Sequence, residues 1–350
     1  MVSSKRHVFA ISVLVLGIVL AAFQVVQAAA PVYLATSIRS LSNPYHATWA
    51  KGAGLFADSL KWGKYNVVLT SEGSSQKQLN DIRALVARTN GNVVFSIDPN
   101  ESPDAVAIAN VLEKAGVYFV TWWNKPEDVK VTDYPHWVGH ITFDGVDAGY
   151  KTAVELFKSF GGKGKIVAVQ GMLANSAAIT RFQGLQKALK EYPGVELVDQ
   201  QAGDWQRARA FEIVSNQLVA HPDIKGVWAA NDDMAMGALE ALRGKGLVGK
   251  VKVTGVDAIP EMIEAIDKGE AVATVASDAA WQGGFGLSLA LAAKQGKIKV
   301  ASLPESKREW VAKSVLLTSA NIKSWIATNV KGTPKYNWND FWGKWVKGVK

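Results

Sequence analysis

Cysteine is absent from this 350-residue chain. That absence removes disulfide staples, thiolate metal sites and a lipid-acceptor thiol at an export cleavage point. Long apolar runs are scarce too: after the first thirty residues, none approaches the roughly 20 residues that a membrane-spanning helix needs. Only five histidines occur, and the one close pair, His136 and His140 in "HWVGH", would suit a metal only on a helix. The Val and Gly between them, beside a strand-like run, argue against helix. The phosphate-cradling G-x-x-x-x-G-K-S/T pattern and the G-x-S-x-G nucleophile turn are both missing. "GAGLFA" (52–57) matches a dinucleotide-binding pattern, but it falls well inside a helix rather than at a strand end. No catalytic residue, metal or cofactor is therefore expected.

What is present begins with a leader. Lys5 and Arg6 precede the uncharged apolar stretch Val8 to Phe23, and Val26 and Ala28 occupy the small-residue positions before a cut. Residues 1–28 are expected to be a signal peptide cleaved after Ala28. Removing them leaves 322 residues and takes away Lys5 and Arg6, lowering the net charge from +8 to +6. A chain of that length commonly forms two domains. Its lysines and arginines are interspersed with acids, so no nucleic-acid partner is expected.

From residue 31, short Val/Ile-rich runs alternate with longer stretches in which apolar residues recur every three or four positions. Strand-like runs fall at 31–37, 65–70, 92–97, 117–122, 165–170, 195–200, 226–230, 251–256 and 272–277. Such alternation predicts an α/β fold with parallel sheets wrapped on both faces by helices. Nine strands are too many for one small doubly wound sheet, and a Gly/Lys-rich turn near 161–165 precedes a fresh series. Two lobes with a hinge near Phe143 are predicted. In the last fifty residues, which hold five of the thirteen tryptophans, Trp338, Phe341, Trp342 and Trp345 fall at i, i+3, i+4 and i+7. That spacing predicts a terminal helix packed on a lobe; with Lys335, Lys344, Lys347 and Lys350 nearby, an interfacial membrane helix is the alternative.

In open parallel sheets ligands bind beyond the carboxyl ends of the strands. The residues there are Arg39, Asn43, Tyr45 and His46 after the first strand, Asp98 after the third, and Trp123 and Asn124 after the fourth. The second series presents Met172, Arg181, Trp205, Asn231, Asp257 and Ser277. Taken singly, Asn43, Asp232 and Asp257 have the ordinary explanation of helix caps, and Arg181 that of a solvated charge. Together they form a mixture suited to a sugar. Carboxylates accept hydroxyl protons, Arg and Asn supply donors, and flat aromatic rings cover apolar C–H faces. In "AANDDM", Asn231 is expected to reach into the cleft while Asp232 and Asp233 favour the positive helix start.

At these residues the chain resembles a known family. "NPY" (43–45), "QGMLANSAAITRFQGLQKAL", "AGDWQRARAFEIVSNQLVAHPDIKGVWAANDDMAMGALEAL" and "VTGVDAIPEMIEAIDKGEAVATVASD" are similar to type I periplasmic sugar-binding proteins, in particular the ribose-binding branch serving ABC importers. The resemblance spans about residues 31–320. It implies two doubly wound parallel-sheet lobes joined by a three-strand hinge, with crossovers near 142–144, 276–279 and 303–308. The N-terminal lobe would comprise 31–143 plus 278–305, and the C-terminal lobe 144–277 plus 306–350 with the Trp-rich extension. Ligand contacts carried over by position are Arg39, Asn43, Tyr45, His46, Asp98, Trp123, Asn124, Phe143, Met172, Arg181, Trp205, Asn231, Asp257 and Ser277. The ribose-binding pattern has Asp-Arg where this chain has Trp123-Asn124, a Phe for His46 and Gln for Ser277. These departures point within the class of monosaccharides and polyols but away from ribose itself. The resemblance further implies a monomer in the periplasm that closes over its ligand and delivers it to the membrane subunits of an ABC importer. Delivery to a chemoreceptor, binding of a quorum signal, and an exported α/β enzyme acting on a sugar are the alternatives. A regulator of the lac-repressor type would need a DNA-binding helical segment where the apolar leader stands.

Overall fold

The computed structural model describes residues 31–332 and 334–349, so the expected leader lies outside the described residues. Its strands are β1 (Tyr33–Ile38), β2 (Asn66–Thr70), β3 (Val93–Ile97), β4 (Phe119–Trp122), β5 (Trp137–Phe143), β6 (Gly164–Gln170), β7 (Val195–Ala202), β8 (Gly226–Ala229), β9 (Lys252–Thr254), β10 (Ala273–Ala276), β11 (Glu309–Ala312), β12 (Val315–Thr318) and β13 (Trp345–Gly348). The main helices are α1 (Pro44–Ser59), α2 (Ser75–Arg88), α3 (Asp104–Lys114), α4 (Gly145–Lys158), α5 (Ser176–Glu191), α6 (Arg207–Ala220), α7 (Asp232–Gly244), α8 (Pro260–Asp267) and α9 (Ala279–Lys294). All nine strand-like runs of the sequence correspond to strands; β5 and the three strands after residue 308 add to them.

Two sheets result. One has the order β13-β11-β5-β4-β3-β1-β2, the other β12-β10-β9-β8-β6-β7. Every pairing within them is parallel except β13 on β11 and β12 on β10. Parallel strands buried on both faces read as continuous Val/Ile-rich runs, as β3 and β8 do, every residue of which is buried. Because all strands but β12 and β13 run the same way within their sheet, their carboxyl ends collect along one edge.

Close helix packing fixes the first lobe. α1 and α9 lie so near that a Cβ on Gly52 would sit 1.8 Å from the Ala280 carbonyl oxygen. A Cβ on Gly283 would sit 2.0 Å from that of Trp49. The "GAGLFA" glycine at 52 is thus a helix-crossing residue, and no phosphate loop is formed there.

The chain passes from β5 into second-lobe α4 at Asp144, and returns from β10 into first-lobe α9 at Asp278. The third passage lies between β11 and β12, at Lys313 and Ser314. This corrects the expected crossover near 303–308, because β11 pairs with β5 in the first sheet, Glu309 to Ala312 opposite His140 to Phe143. The placement of 306–350 in the C-terminal lobe is corrected as well. Only β12 and the short helical turns after it join the second lobe, and β13 returns to pair with β11, making a fourth passage between lobes. Nor do the terminal aromatics form a helix. They lie in turns and an edge strand, because each finds its own partner: Trp338 on Phe56, Phe341 on Phe285, Trp342 on Trp310, and the Trp345 indole N–H on the Ser306 carbonyl.

Candidate functional site

The two rows of strand ends face each other around a pocket of about 410 Å³. Arg39, Asn43, Tyr45, His46, Asp98, Trp123 and Asn124 line it from the first lobe, and Asn175, Ala177, Arg181, Trp205, Asn231 and Asp257 from the second. Direct hydrogen bonds close the rim: Ser102 Oγ to Ser176 Oγ at 2.6 Å, Asn175 Nδ2 to the Asn100 carbonyl at 3.1 Å, and Ser176 Oγ to the Lys125 carbonyl at 3.1 Å. The lobes are therefore in contact, in a closed arrangement.

Local chain geometry aims these groups. Asn43, Asn175 and Asn231 each cap a helix through Oδ1, accepting from Tyr45 N at 2.9 Å, Ala177 N at 3.1 Å and Met234 N at 3.1 Å respectively. Capping occupies the amide oxygen and leaves the NH₂ to face the pocket or the opposite lobe. Cap and site are thus one role for these residues. Trp123, Trp205 and Asp257 have positive φ values of 60°, 63° and 127°. Non-glycine residues adopt that conformation at a cost, which the surrounding fold must offset to turn the side chain off the strand axis.

In the first lobe, His46 Nε2 and Asn124 Nδ2 each contact one oxygen of Asp98, both at 3.1 Å. Tyr45 donates to Gln282 Oε1 at 2.7 Å and accepts from Trp123 Nε1 at 2.8 Å. Burial, reinforced by Asp257 and Asp98, holds the Tyr45 hydroxyl proton well above its ordinary range, so it remains a neutral phenol.

In the second lobe, the Arg181 guanidinium lies over the rings of Trp123 and Trp205, 5.0 and 5.6 Å from their centroids. It donates to the Ala230 carbonyl at 2.7 Å and stands 3.5 Å from Asp257. The sequence-level default of a solvated charge does not apply: Arg181 is buried. Burial raises the Asp257 carboxyl to about 7, with Arg181 and then Asn231 opposing that rise. Asp232 turns away from the pocket, accepting from Thr274 Oγ1 at 2.8 Å and Ile259 N at 3.0 Å, and its burial pushes its proton affinity up. Asp233 pairs with Arg207 at 2.9 Å. Of the three polar residues at that junction, only Asn231 lines the pocket.

Three predicted residues lie elsewhere. Phe143 backs the pocket, its ring 4.8 Å from that of Trp123. Met172 stands outside the pocket, where its sulfur accepts from Arg39 at 2.8 Å across the lobes. Ser277 is a layer behind, accepting from Gln282 Nε2 at 3.1 Å. Conversely, Asn175 and Ala177 were not anticipated. Their signal was an Asn before "SAAIT" at a helix start, the same cap pattern that marked Asn43. Gln282, linking Ser277 to Tyr45, carries no local signal.

Three buried polar atoms in the pocket residues have no hydrogen-bond partner in the protein: His46 Nδ1, Asn124 Oδ1 and Arg181 Nε. An unpartnered buried polar atom is costly unless something else satisfies it. Acceptors, donors and indole faces here converge on one pocket. Among the described residues no cluster of His, Cys, Asp and Glu is arranged to hold a metal ion.

A family model described as "Periplasmic binding protein domain" matches residues 34–298. The D-allose-binding periplasmic protein of Escherichia coli is 32% identical, over 81% of this chain and 91% of that one. The crystal structure of a twin-arginine translocation pathway signal protein from Burkholderia phytofirmans is 46% identical, with a TM-score of 0.88 over 91% of this chain and 98% of that one. A myo-inositol binding protein from Caulobacter, solved with myo-inositol bound, is 28% identical, with a TM-score of 0.69 over 84% of this chain and 95% of that one.

Proposed function

The chain belongs to the periplasmic binding protein family, and from that premise we propose that it captures a monosaccharide or polyol between its lobes and hands it to an ABC importer. The observation that carries this is the pocket itself. Carboxylates, amides, a guanidinium and two indole faces from opposite sheets converge there, with His46 Nδ1, Asn124 Oδ1 and Arg181 Nε left for a ligand to satisfy. One lobe holds the molecule first and the other closes over it, a hinge motion that makes and breaks no bond. The allose- and inositol-binding relatives support the ligand class. The exchange of Asp-Arg for Trp123-Asn124 supports a ligand other than ribose. In this reading the leader is cleaved after Ala28, the protein works as a monomer in the periplasm, and a chemoreceptor is the alternative receiver of the closed form.

A thermal-shift screen of the chain against pentoses, hexoses, amino sugars, inositols and linear polyols tests the proposal. A ligand that binds only the folded form raises stability by RT ln(1 + [L]/Kd), about 2.7 kcal/mol at a hundredfold excess over Kd. Stabilisation by at least one member, clearly reduced at the same concentration in Asn231→Ala, is the expected result. No stabilisation by any, or turnover of a tested sugar by pure protein, would overturn it.

Binding should also depend on pH. A hydroxyl donates far more strongly to Asp257 in its ionised form, which predominates only above about 7. Ligand binding then expels a proton below that value. Affinity at pH 6 is expected to be about tenfold lower than at pH 8, following a one-proton linkage. Calorimetry at pH 6 in two buffers of different ionisation enthalpy checks it; equal apparent enthalpies would show that no proton leaves. Stability of the unliganded chain carries the opposite sign. Between the ordinary carboxyl value and about 7 the folded chain keeps a proton that the unfolded chain has lost, so this group's contribution falls as pH rises through that window.

A further inference from the structure

The terminal segment, which lies beyond the family match at residues 34–298, touches all three of the passages between the lobes that precede it. Lys347, on β13 of the first sheet, reaches the Asp144 carboxylate at 3.0 Å, and Asp144 is the N-cap of second-lobe α4. Lys344 Nζ meets Asp278 Oδ2 at 2.6 Å while the Tyr336 hydroxyl donates to Oδ1 at 2.9 Å. Asp278 is the cap of α9, held at a positive φ of 57° where the chain returns from β10. The Lys344 carbonyl accepts from Lys313 N at 2.9 Å, in the third passage. The segment is itself anchored on the first lobe: Ser288 donates to the Trp338 carbonyl at 2.5 Å, and the Trp338 ring packs edge-on against Phe56. Lys344 Nζ also lies 4.5 Å from the Trp281 ring centroid, in the first turn of α9.

We propose that the segment from Tyr336 to Lys347 is a hinge strap that favours the closed arrangement of the lobes, with Lys344 and Lys347 as its positioning residues. Hinge closure is a change of backbone torsion concentrated at a few element ends, and Asp144, Asp278 and Lys313 stand at those ends here. A strap fixed to the first lobe and bonded to the cap of α4 must stretch or release when the second lobe swings away. The Lys347 pair is exposed and the Lys344 pair half-buried, and each is weak on its own. An open–closed equilibrium is also finely balanced, however, so a weak bias at the pivot changes populations several-fold. Apparent ligand affinity scales with the fraction of molecules able to close. The strap therefore sets how tightly the pocket holds its ligand without touching it. The proposal rests on closure as the capture step.

The test needs no ligand. The chain has no cysteine, so Lys114→Cys in the first lobe and Lys190→Cys in the second, both exposed, carry a donor and an acceptor dye. Single-molecule energy transfer on the ligand-free full chain then reads the lobe arrangement. Lys344→Met with Lys347→Met is expected to move the distribution several-fold toward the low-transfer, open state. Raising the salt concentration should move the parent in the same direction while leaving the double variant in place. Where the thermal-shift screen has identified a ligand, its Kd should rise about three- to tenfold in the double variant. Distributions that coincide in parent and variant at low salt would overturn the strap, whatever the ligand proves to be. A shift seen when every sugar fails in the screen would leave the strap standing and remove the capture proposal instead. Urea unfolding midpoints that agree between parent and variant exclude simple loss of stability as the source of a shift.

Discussion

Arg181→Ala is expected to weaken ligand binding by about a hundredfold or more, the largest effect of any single pocket substitution. Truncating one member of a buried, hydrogen-bonded charged pair in a binding site typically costs about 2–5 kcal/mol, much of it from the partner left behind. Arg181 holds three features of the pocket together. It spans the Trp123 and Trp205 faces from the two lobes, donates to the Ala230 carbonyl just before Asn231, and is the cation beside Asp257. Without it, Asp257 is pushed further toward its neutral form, a weaker acceptor for a ligand hydroxyl at neutral pH than the carboxylate. Arg181→Lys should recover only part of the loss, because an ammonium restores the charge but neither the planar fork nor the stacking surface. Titration calorimetry at pH 8 with the ligand found by screening measures both. An affinity within threefold of the parent in folded Arg181→Ala would remove this residue from the binding site.

The second large effect concerns stability. Gly52→Ala should lower the unfolding free energy by about 3 kcal/mol, and Gly52→Val by more, since the clash is with main-chain atoms that no rotamer change can relieve. At 1.8 Å from the Ala280 carbonyl oxygen, the added Cβ would force α1 and α9 apart. Gly54 in the same helix provides the control. Its nearest neighbour to an added Cβ is Asn66 Nδ2 at 3.9 Å, so Gly54→Ala should be neutral or stabilising by about 0.5–1 kcal/mol, the helix propensity gained. Urea denaturation of the two variants side by side decides the matter. Equal midpoints would mean that the two helices tolerate separation and that the close crossing is not essential to the lobe.

Much of the site was legible because its signals are local. Asn43 followed by Pro44 announces a helix start two residues long, and the structure caps α1 with that Asn and begins it with that Pro. Asn231 is positioned by the same chemistry. The strand ends were legible because a buried parallel strand reads as an unbroken apolar run whose first polar residue marks its exit. The choice between cap and ligand contact could not be made from sequence, since an asparagine offers its oxygen to one and its NH₂ to the other.

The terminal aromatics went the other way. Their spacing satisfies a helical face, and helical period is the strongest local criterion available. Yet Trp338 finds Phe56, Trp342 finds Trp310 and β13 finds β11, each more than thirty residues distant in the chain. The same holds for Gln282, whose place between Tyr45 and Ser277 depends on α9 crossing back to the first lobe. Phe143, Met172 and Ser277 were placed in the pocket by position in the chain, but a shift of one layer or one loop puts them behind or beside it.

By itself the sequence determined the alternation of strand and helix, the number of lobes, the edge at which polar residues gather and the cap that begins α1; the cap of α7 is Asn231 and not the Asp232 the sequence offered. These follow from period, backbone stereochemistry and capping, which act over a few residues. Only the tertiary structure decided that Arg181 is buried between two indoles, that Asp232 faces the core while Asn231 faces the pocket, and that the tail crosses back to bind the hinge. Those outcomes depend on which distant surfaces meet. Burial, the loss of water around a charge and the distance between partners come into being only when the chain has folded.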